Sequence, residues 1–84
     1  MRDYLQTARV NAGYTYASIA KKLGLSREYY RLIEAGERQK TMDLALLSNI
    51  ADLLRLNLND CVSEELAYQR SVEAADKPTE ESEG

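Results

Sequence analysis

The chain has 84 residues, enough for one domain with a modest hydrophobic core. It contains no Phe, Trp or His, so aliphatic side chains and Tyr must build that core, which favours an all-α bundle. One cysteine, Cys61, cannot form an intramolecular disulfide, and without His we expect no metal or other cofactor. The usual acid–base and nucleophile arrangements are also missing, so we expect no enzymatic activity. No apolar run approaches the ~20 residues that span a membrane, and no signal peptide is recognisable, which predicts a cytoplasmic protein.

Charge is distributed unevenly along the chain. Residues 1–40 hold eight basic and four acidic side chains, whereas residues 41–84 hold three basic and ten acidic ones. This asymmetry indicates one surface that could meet a polyanion and another that is turned away from it. Small soluble proteins also show such asymmetry by chance, so a motif must support it.

Three short helices, separated by glycines, are predicted first. They are expected at residues 2–12, 16–23 and 27–35. Gly13 and Gly24 end the first two helices, and Thr15 and Ser26 are good caps for the next two. Because only one residue separates Gly24 from Ser26, the third helix must follow the second at a sharp angle, as in a helix-turn-helix motif.

The third predicted helix has an outer face suited to reading DNA bases. With Tyr30 and Ile33 packed inward, that face consists of Arg27, Glu28, Arg31 and Leu32. Arg can bond bidentately to guanine, Glu can accept from cytosine N4, and Leu can contact a thymine methyl group. Each has a plainer interpretation: a phosphate contact for Arg27, a favourable helix-dipole position for Glu28, and an ordinary surface leucine for Leu32.

Four stretches of the chain carry a family resemblance. They are residues 5–13 (LQTARVNAG), 15–33 (TYASIAKKLGLSREYYRLI), 34–36 (EAG) and 50–58 (IADLLRLNL). The joint spacing of Ala20, Gly24, Ile33 and the following Glu-x-Gly resembles that of the Cro/CI-like (XRE-type) helix-turn-helix transcriptional regulators. This resemblance implies a compact five-helix, lambda-repressor-like domain, here residues 1–70, whose third helix enters the major groove.

The resemblance also implies roles for individual residues. The positions that commonly read bases match Arg27, Glu28 and Leu32. In this family the start of the second helix and the loop after the third bind phosphates. The candidate phosphate-binding residues are therefore Tyr16, Tyr29, Arg38 and Lys40. Tyr16 stands where glutamine is usual, and the loop is longer than the common pattern, so this chain departs from the family at both places. Without the motif, that loop would simply be a soluble polar segment.

An ion pair between Arg9 and Glu34 is implied as well, because the family often pairs an arginine of the first helix with the glutamate before the glycine. We interpret this pair as structural. If it is buried, losing one partner should cost more than losing both.

Two further helices complete the predicted domain. The fourth is expected at residues 42–54, with Thr41 as its cap and Asp43 in the first turn. The fifth is expected to begin after Asn57 or Asn59 and to reach roughly residue 69.

The fifth predicted helix offers a surface for a second subunit. A single recognition helix reads only a few base pairs, so two subunits spaced about one DNA turn apart, reading a palindrome, are expected. Leu58, Val62 and Leu66 are the candidate interface; alternatively, they cap the core of a monomer. Cys61, with no adjacent basic residue, is more typical of a packing residue than of a redox switch.

Residues 71–84 are rich in Glu, Ala, Ser and Thr and are predicted to be a disordered acidic tail. Such tails are usually solubilising, although this one could compete with DNA for the basic face.

The predicted function is sequence-specific binding of operator DNA as a homodimer, most simply to repress transcription, with RNA polymerase or a regulatory protein as a possible further partner. Phage repressor, restriction-modification controller, plasmid regulator and antitoxin all stay open, since they share this domain and differ in genomic setting. The alternative is a protein-interaction module on a helix-turn-helix scaffold. The low isoelectric point near 4.9, together with Leu32 and Tyr16, favours that alternative, whereas the basic residues of the first 40 positions oppose it.

Overall fold

Five α-helices joined by short turns account for most of residues 1–76, the part of the chain that the computed structural model describes. They are α1 (Asp3–Asn11), α2 (Tyr16–Leu23), α3 (Arg27–Ala35), α4 (Leu44–Leu54) and α5 (Leu58–Asp76). Residues 1–76 contain no β-strand. The predicted all-α, five-helix class is therefore confirmed.

The turn between α2 and α3 follows the sequence prediction. Thr15 caps α2 through a capping box, in which its hydroxyl accepts from the Ser18 amide at 3.0 Å while the Ser18 hydroxyl accepts from the Thr15 amide at 2.9 Å. Gly24 ends α2 with φ +75°, a left-handed conformation that an L side chain rarely adopts. The Ser26 hydroxyl then accepts from the Tyr29 amide at 3.1 Å and starts α3. Gly24 and the Ser26 cap, separated by one residue, produce the sharp α2–α3 corner.

The predicted start of α4 is wrong. Asp43, not Thr41, is the N-cap, because its carboxylate accepts from the Leu46 amide at 3.0 Å, and the helix begins at Leu44. Met42, predicted to lie in the helix, precedes it and is buried in the core. Asp43 is a better cap than Thr41 because its carboxylate also meets the positive end of the helix dipole.

The fifth helix is longer than predicted. Of the two candidate caps, Asn57 is the one used, with its side-chain oxygen accepting from the Asp60 amide at 3.1 Å. The helix continues to Asp76, so residues 71–76, assigned from composition to the acidic tail, are helical. Residues 77–84 of the predicted tail lie outside the described residues.

The core is aliphatic with one tyrosine, as the composition requires. Its buried members come from all five helices and the loop before α4: Leu5, Ile19, Ala20, Tyr30, Ile33, Met42, Leu47, Ile50, Ala51, Leu54 and Cys61. Burial, followed by the nearby Asp60 and Glu64 carboxylates, raises the pKa of the Cys61 thiol. This supports the interpretation of Cys61 as a packing residue. Because Tyr30 and Ile33 hold one side of α3 in the core, its opposite side lies at the surface.

Candidate DNA interface

The helix α3 presents the four predicted base-reading residues on its outer side. Arg27 and Glu28 are exposed, whereas Arg31 and Leu32 are partly buried. All four follow the Ser26 cap within the first two turns, so the α2–α3 corner determines how far they project. The structure thus places these residues on one face of α3.

Arg31 and Glu28 pair with each other across one turn of α3. Arg31 donates from Nε to Glu28 Oε1 at 3.0 Å and from Nη2 to Oε2 at 2.5 Å. The hydrogen bond from Arg31 lowers the pKa of Glu28, and the same bond raises the pKa of Arg31. Because the two side chains are 40% and 59% exposed, this pair is expected to be weak and open to exchange with a ligand.

Tyr16 connects the start of α2 to the start of α3. Its ring lies 4.2 Å from the Arg9 guanidinium carbon, 5.9 Å from that of Arg27, and 6.3 Å, centroid to centroid, from the ring of Tyr30. These contacts hold a half-buried phenol beside the predicted base-reading residues of α3. Tyr16 can therefore offer a hydroxyl at the place where the resemblance implies a phosphate contact.

The loop between α3 and α4 carries the two predicted phosphate-binding cations, Arg38 and Lys40, both exposed. Between them, Gln39 has φ +55° and uses both ends of its amide. Its Nε2 donates to the Tyr29 hydroxyl at 2.9 Å, and its Oε1 accepts from the Asp43 amide at 2.9 Å. Tyr29 keeps its own hydroxyl proton for another acceptor. Gln39 thus connects α3 to the cap of α4, a role that the sequence reading did not assign.

The predicted pairing of Arg9 with Glu34 is confirmed. Arg9 Nε donates to Glu34 Oε2 at 2.7 Å, and the two side chains are 8% and 0% exposed. Arg9 Nη1 also donates to the carbonyl of Tyr14 at 2.9 Å. The pair connects α1, the turn before α2 and the end of α3.

A second buried ion pair, between Arg2 and Glu65, was missed from the sequence. Arg2 Nε lies 2.8 Å from Glu65 Oε1, with exposures of 0% and 5%. Arg2 was counted only as one of the basic residues of positions 1–40, and no local pattern in the sequence pairs it with a carboxylate as distant as Glu65. The periodicity of α5 offered one signal, because Glu65 is one turn from Cys61 on the buried side of the helix.

The net charge of residues 1–40 changes only slightly when the buried groups are left out of the count. Arg2, Arg9 and Glu34 are buried, which leaves six cations and three carboxylates on the surface. The cations are Lys21, Lys22, Arg27, Arg31, Arg38 and Lys40. A net positive surface around α2, α3 and the following loop therefore persists.

The candidate dimer residues occupy successive turns of α5. Leu58 and Leu66 are 42% and 43% exposed, whereas Val62 between them is half-buried against the core. Of the three, only Val62 packs against the core. The alternative that these residues cap the core of a monomer therefore accounts for one residue of this apolar stripe, which consists of Leu58, Val62 and Leu66. No helix within residues 1–76 is long and apolar enough to cross a membrane.

Comparison with known proteins agrees with this geometry. The family model described as Helix-turn-helix matches residues 5–60, which include most of α1, all of α2 to α4 and the start of α5. Neither the curated proteins nor the solved structures include one that matches the chain. The matched region covers the α2–α3 corner, the outer face of α3 and the loop that follows. The chain belongs to the XRE/Cro-CI-type helix-turn-helix family, a family of DNA-binding regulators of transcription.

Proposed function

We propose that the protein binds a specific operator sequence as a homodimer and represses transcription by occupying it, acting in the cytoplasm. The observation that carries this proposal is the outer face of α3, where Arg27, Glu28, Arg31 and Leu32 lie together at the surface. These side chains offer bidentate donors for guanine, an acceptor for cytosine and an apolar group for thymine.

The surrounding groups supply contacts that do not depend on DNA sequence. Tyr16 and Tyr29 offer hydroxyls, and Arg38 and Lys40 are exposed cations in the loop beyond α3. Each cation that neutralises a phosphate releases condensed counterions, so the affinity should fall linearly with salt on logarithmic axes. Phosphate contacts of this kind set the position of α3 on the duplex.

The apolar stripe of α5, Leu58, Val62 and Leu66, supports the dimer. Two of its leucines are more than 40% exposed, and apolar side chains exposed on one helix face are a typical feature of protein–protein contacts. Two copies joined through this stripe would present two α3 helices to a palindromic site. Occupied operator DNA then excludes RNA polymerase by steric overlap.

Selection of bound sequences from random duplex DNA tests the proposal. The wild-type protein should enrich one palindromic motif, and the Arg27→Gln, Arg31→Gln variant should lose or relax it. A matched control, Arg55→Asn with Arg70→Gln, removes two exposed cations that lie outside the α2–α3 region and should keep the motif. No enrichment by folded wild-type protein, or equal loss in both variants, would refute base reading by α3.

The dimer is tested separately by molecular mass in solution and on DNA. Leu66→Glu should shift the protein to a monomer and weaken binding to a two-half-site duplex. Leu44→Glu is the control, because Leu44 is 69% exposed at the start of α4, outside the stripe. A Leu66→Glu protein that stays dimeric would exclude this stripe as the interface.

A protein-docking module is the competing proposal, and the Arg31–Glu28 pair favours it because the pair neutralises two charges on the outer face of α3. Salt distinguishes the two functions. If the protein binds DNA, its affinity must fall steeply as the salt concentration rises. In Arg38→Gln the logarithmic slope should be smaller by the amount expected for about one phosphate contact.

A further inference from the structure

The Arg2 side chain is fully buried and all five of its N–H donors are used. Nε and Nη2 donate to the two oxygens of Glu65 at 2.8 and 2.9 Å. Nη1 donates to the carbonyl oxygens of Ile33, at 2.6 Å, and of Arg38, at 3.2 Å. Nη2 also donates to the carbonyl of Gln39. A single guanidinium therefore bonds to α3, to the α3–α4 loop and to α5.

The three carbonyl partners of Arg2 lie where the proposed phosphate contacts begin. Ile33 belongs to the last turn of α3, and Arg38 and Gln39 belong to the loop that carries the exposed cations. A non-glycine residue with positive φ, such as Gln39, is disfavoured by sterics, so other contacts must offset the cost of this conformation. Arg2 supplies such a contact from inside the protein, and the Gln39 side chain supplies others through Tyr29 and the Asp43 amide.

Glu65 is in turn held in place from α1 and α5. Its carboxylate accepts from the Tyr4 hydroxyl at 2.6 Å and from Gln69 Nε2 at 2.7 Å, in addition to Arg2. The Tyr68 ring lies 4.9 Å from the Arg2 guanidinium carbon. Glu65 and Arg2 together link α5 to residues 38 and 39 of the loop, and Glu65 lies one residue before Leu66 of the apolar stripe.

We propose that Arg2, oriented by Glu65, is a positioning residue for DNA binding: it holds the backbone of residues 38 and 39 so that Arg38 and Lys40 face the phosphates. This inference rests on the proposed function, and it adds a role for two buried residues that do not touch DNA. Loss of the Glu65 charge should release the loop while leaving the outer face of α3 in place.

The chain contains a matched control. Arg9 and Glu34 form an ion pair of similar burial, but the side-chain donors of Arg9 reach Glu34 and the Tyr14 carbonyl rather than the loop. Removing either carboxylate should lower stability, whereas only the Glu65 change should alter the loop. A purely structural role for Arg2 would make the two variants behave alike.

The test compares Glu65→Gln with Glu34→Gln in the full chain. For DNA binding, the dissociation constant is measured over a series of salt concentrations on the selected operator. Glu65→Gln should weaken binding about tenfold, as expected for losing roughly one charge-assisted hydrogen bond, and should reduce the logarithmic salt slope by ~0.9. Glu34→Gln should keep the wild-type slope. Amide hydrogen exchange provides a second readout without DNA, and residues 37–41 should exchange faster in Glu65→Gln only.

The outcomes separate this inference from the proposed function. If Glu65→Gln binds DNA with the wild-type affinity and salt slope, and residues 37–41 exchange their amide hydrogens at the wild-type rate, the positioning role alone is overturned. Equal changes in both variants would also overturn it. If the wild type shows no salt-dependent DNA binding, the proposed function fails and the positioning role fails with it. Should Glu65→Gln not fold, Tyr4→Phe, which removes a single hydrogen bond to Glu65, must show the same changes in smaller measure, and its failure to do so would refute the role.

Discussion

Breaking the buried Arg9–Glu34 pair should reveal a large coupling energy between the two residues. Glu34→Leu leaves the Arg9 guanidinium, itself almost fully buried, with the Tyr14 carbonyl and the Tyr16 ring as its neighbours. Arg9→Met leaves a fully buried carboxylate without its guanidinium. Removing one partner of a buried pair typically costs about 3 to 5 kcal/mol, whereas replacing both with apolar groups is often neutral.

For a domain of this size, total stability is about 4 to 13 kcal/mol, so either single variant should lose a large and measurable part of it. The double variant, Arg9→Met with Glu34→Leu, should have a free energy of unfolding within roughly 2 kcal/mol of the wild type. The remaining difference comes from the lost hydrogen bond between Arg9 and the Tyr14 carbonyl. Urea unfolding of the four proteins measures the coupling, which should exceed about 2 kcal/mol. Additive effects within about 0.5 kcal/mol would refute the interpretation of the pair as a buried, mutually dependent unit.

Three further predictions concern other buried groups. Burial raises the pKa of Glu65, but hydrogen bonds from Arg2, Tyr4 and Gln69 together lower it by more, so the pKa lies below its ordinary value. The stability that the ionised carboxylate contributes should be lost as pH falls through that lowered pKa, and urea unfolding between pH 2 and 6 should show a smaller loss of stability on acidification in Glu65→Gln. Cys61 should react with a thiol reagent no faster than the protein unfolds, because burial raises its pKa, and rapid reaction under native conditions would contradict its packing role. Gly36→Ala should destabilise the protein more than Gly13→Ala, although the two φ angles are similar at +86° and +83°, because a Cβ at Gly36 would overlap the Tyr68 hydroxyl while Gly13 faces open space. Adding Tyr68→Phe should recover part of the difference in melting temperature.

The local signals in this sequence predicted most of the fold. Thr15, Ser26 and Gly24 determine helix ends through contacts within three or four residues, so α2 and α3 begin and end where the sequence placed them. The predicted start of α4 is wrong because Thr41 and Asp43 are both acceptable caps, and tertiary contacts add to the preference for Asp43. Met42 is drawn into the core, and the Asp43 amide is bonded to Gln39.

The candidate site was predictable in its residue types but not in its internal contacts. The spacing of α3 placed Arg27, Glu28, Arg31 and Leu32 on one side, yet the Arg31–Glu28 pair depends on side-chain rotamers that spacing alone does not determine. The left-handed conformation of Gln39 was also not foreseen, because the usual signals for such a turn are Gly, Asn or Asp.

The two buried ion pairs show where sequence reasoning reaches its limit. Arg9 and Glu34 are separated by 25 positions, and the pair was found only because it accompanies the Glu-x-Gly signature of the family. Arg2 and Glu65 are 63 positions apart and have no such signature, so sequence analysis did not pair them. Burying either charge alone would be costly, and the structure avoids that cost by satisfying every Arg2 donor with groups from α3, the α3–α4 loop and α5. The same long-range contacts that conceal this pair from sequence analysis make Glu65 able to act on a loop that it does not touch.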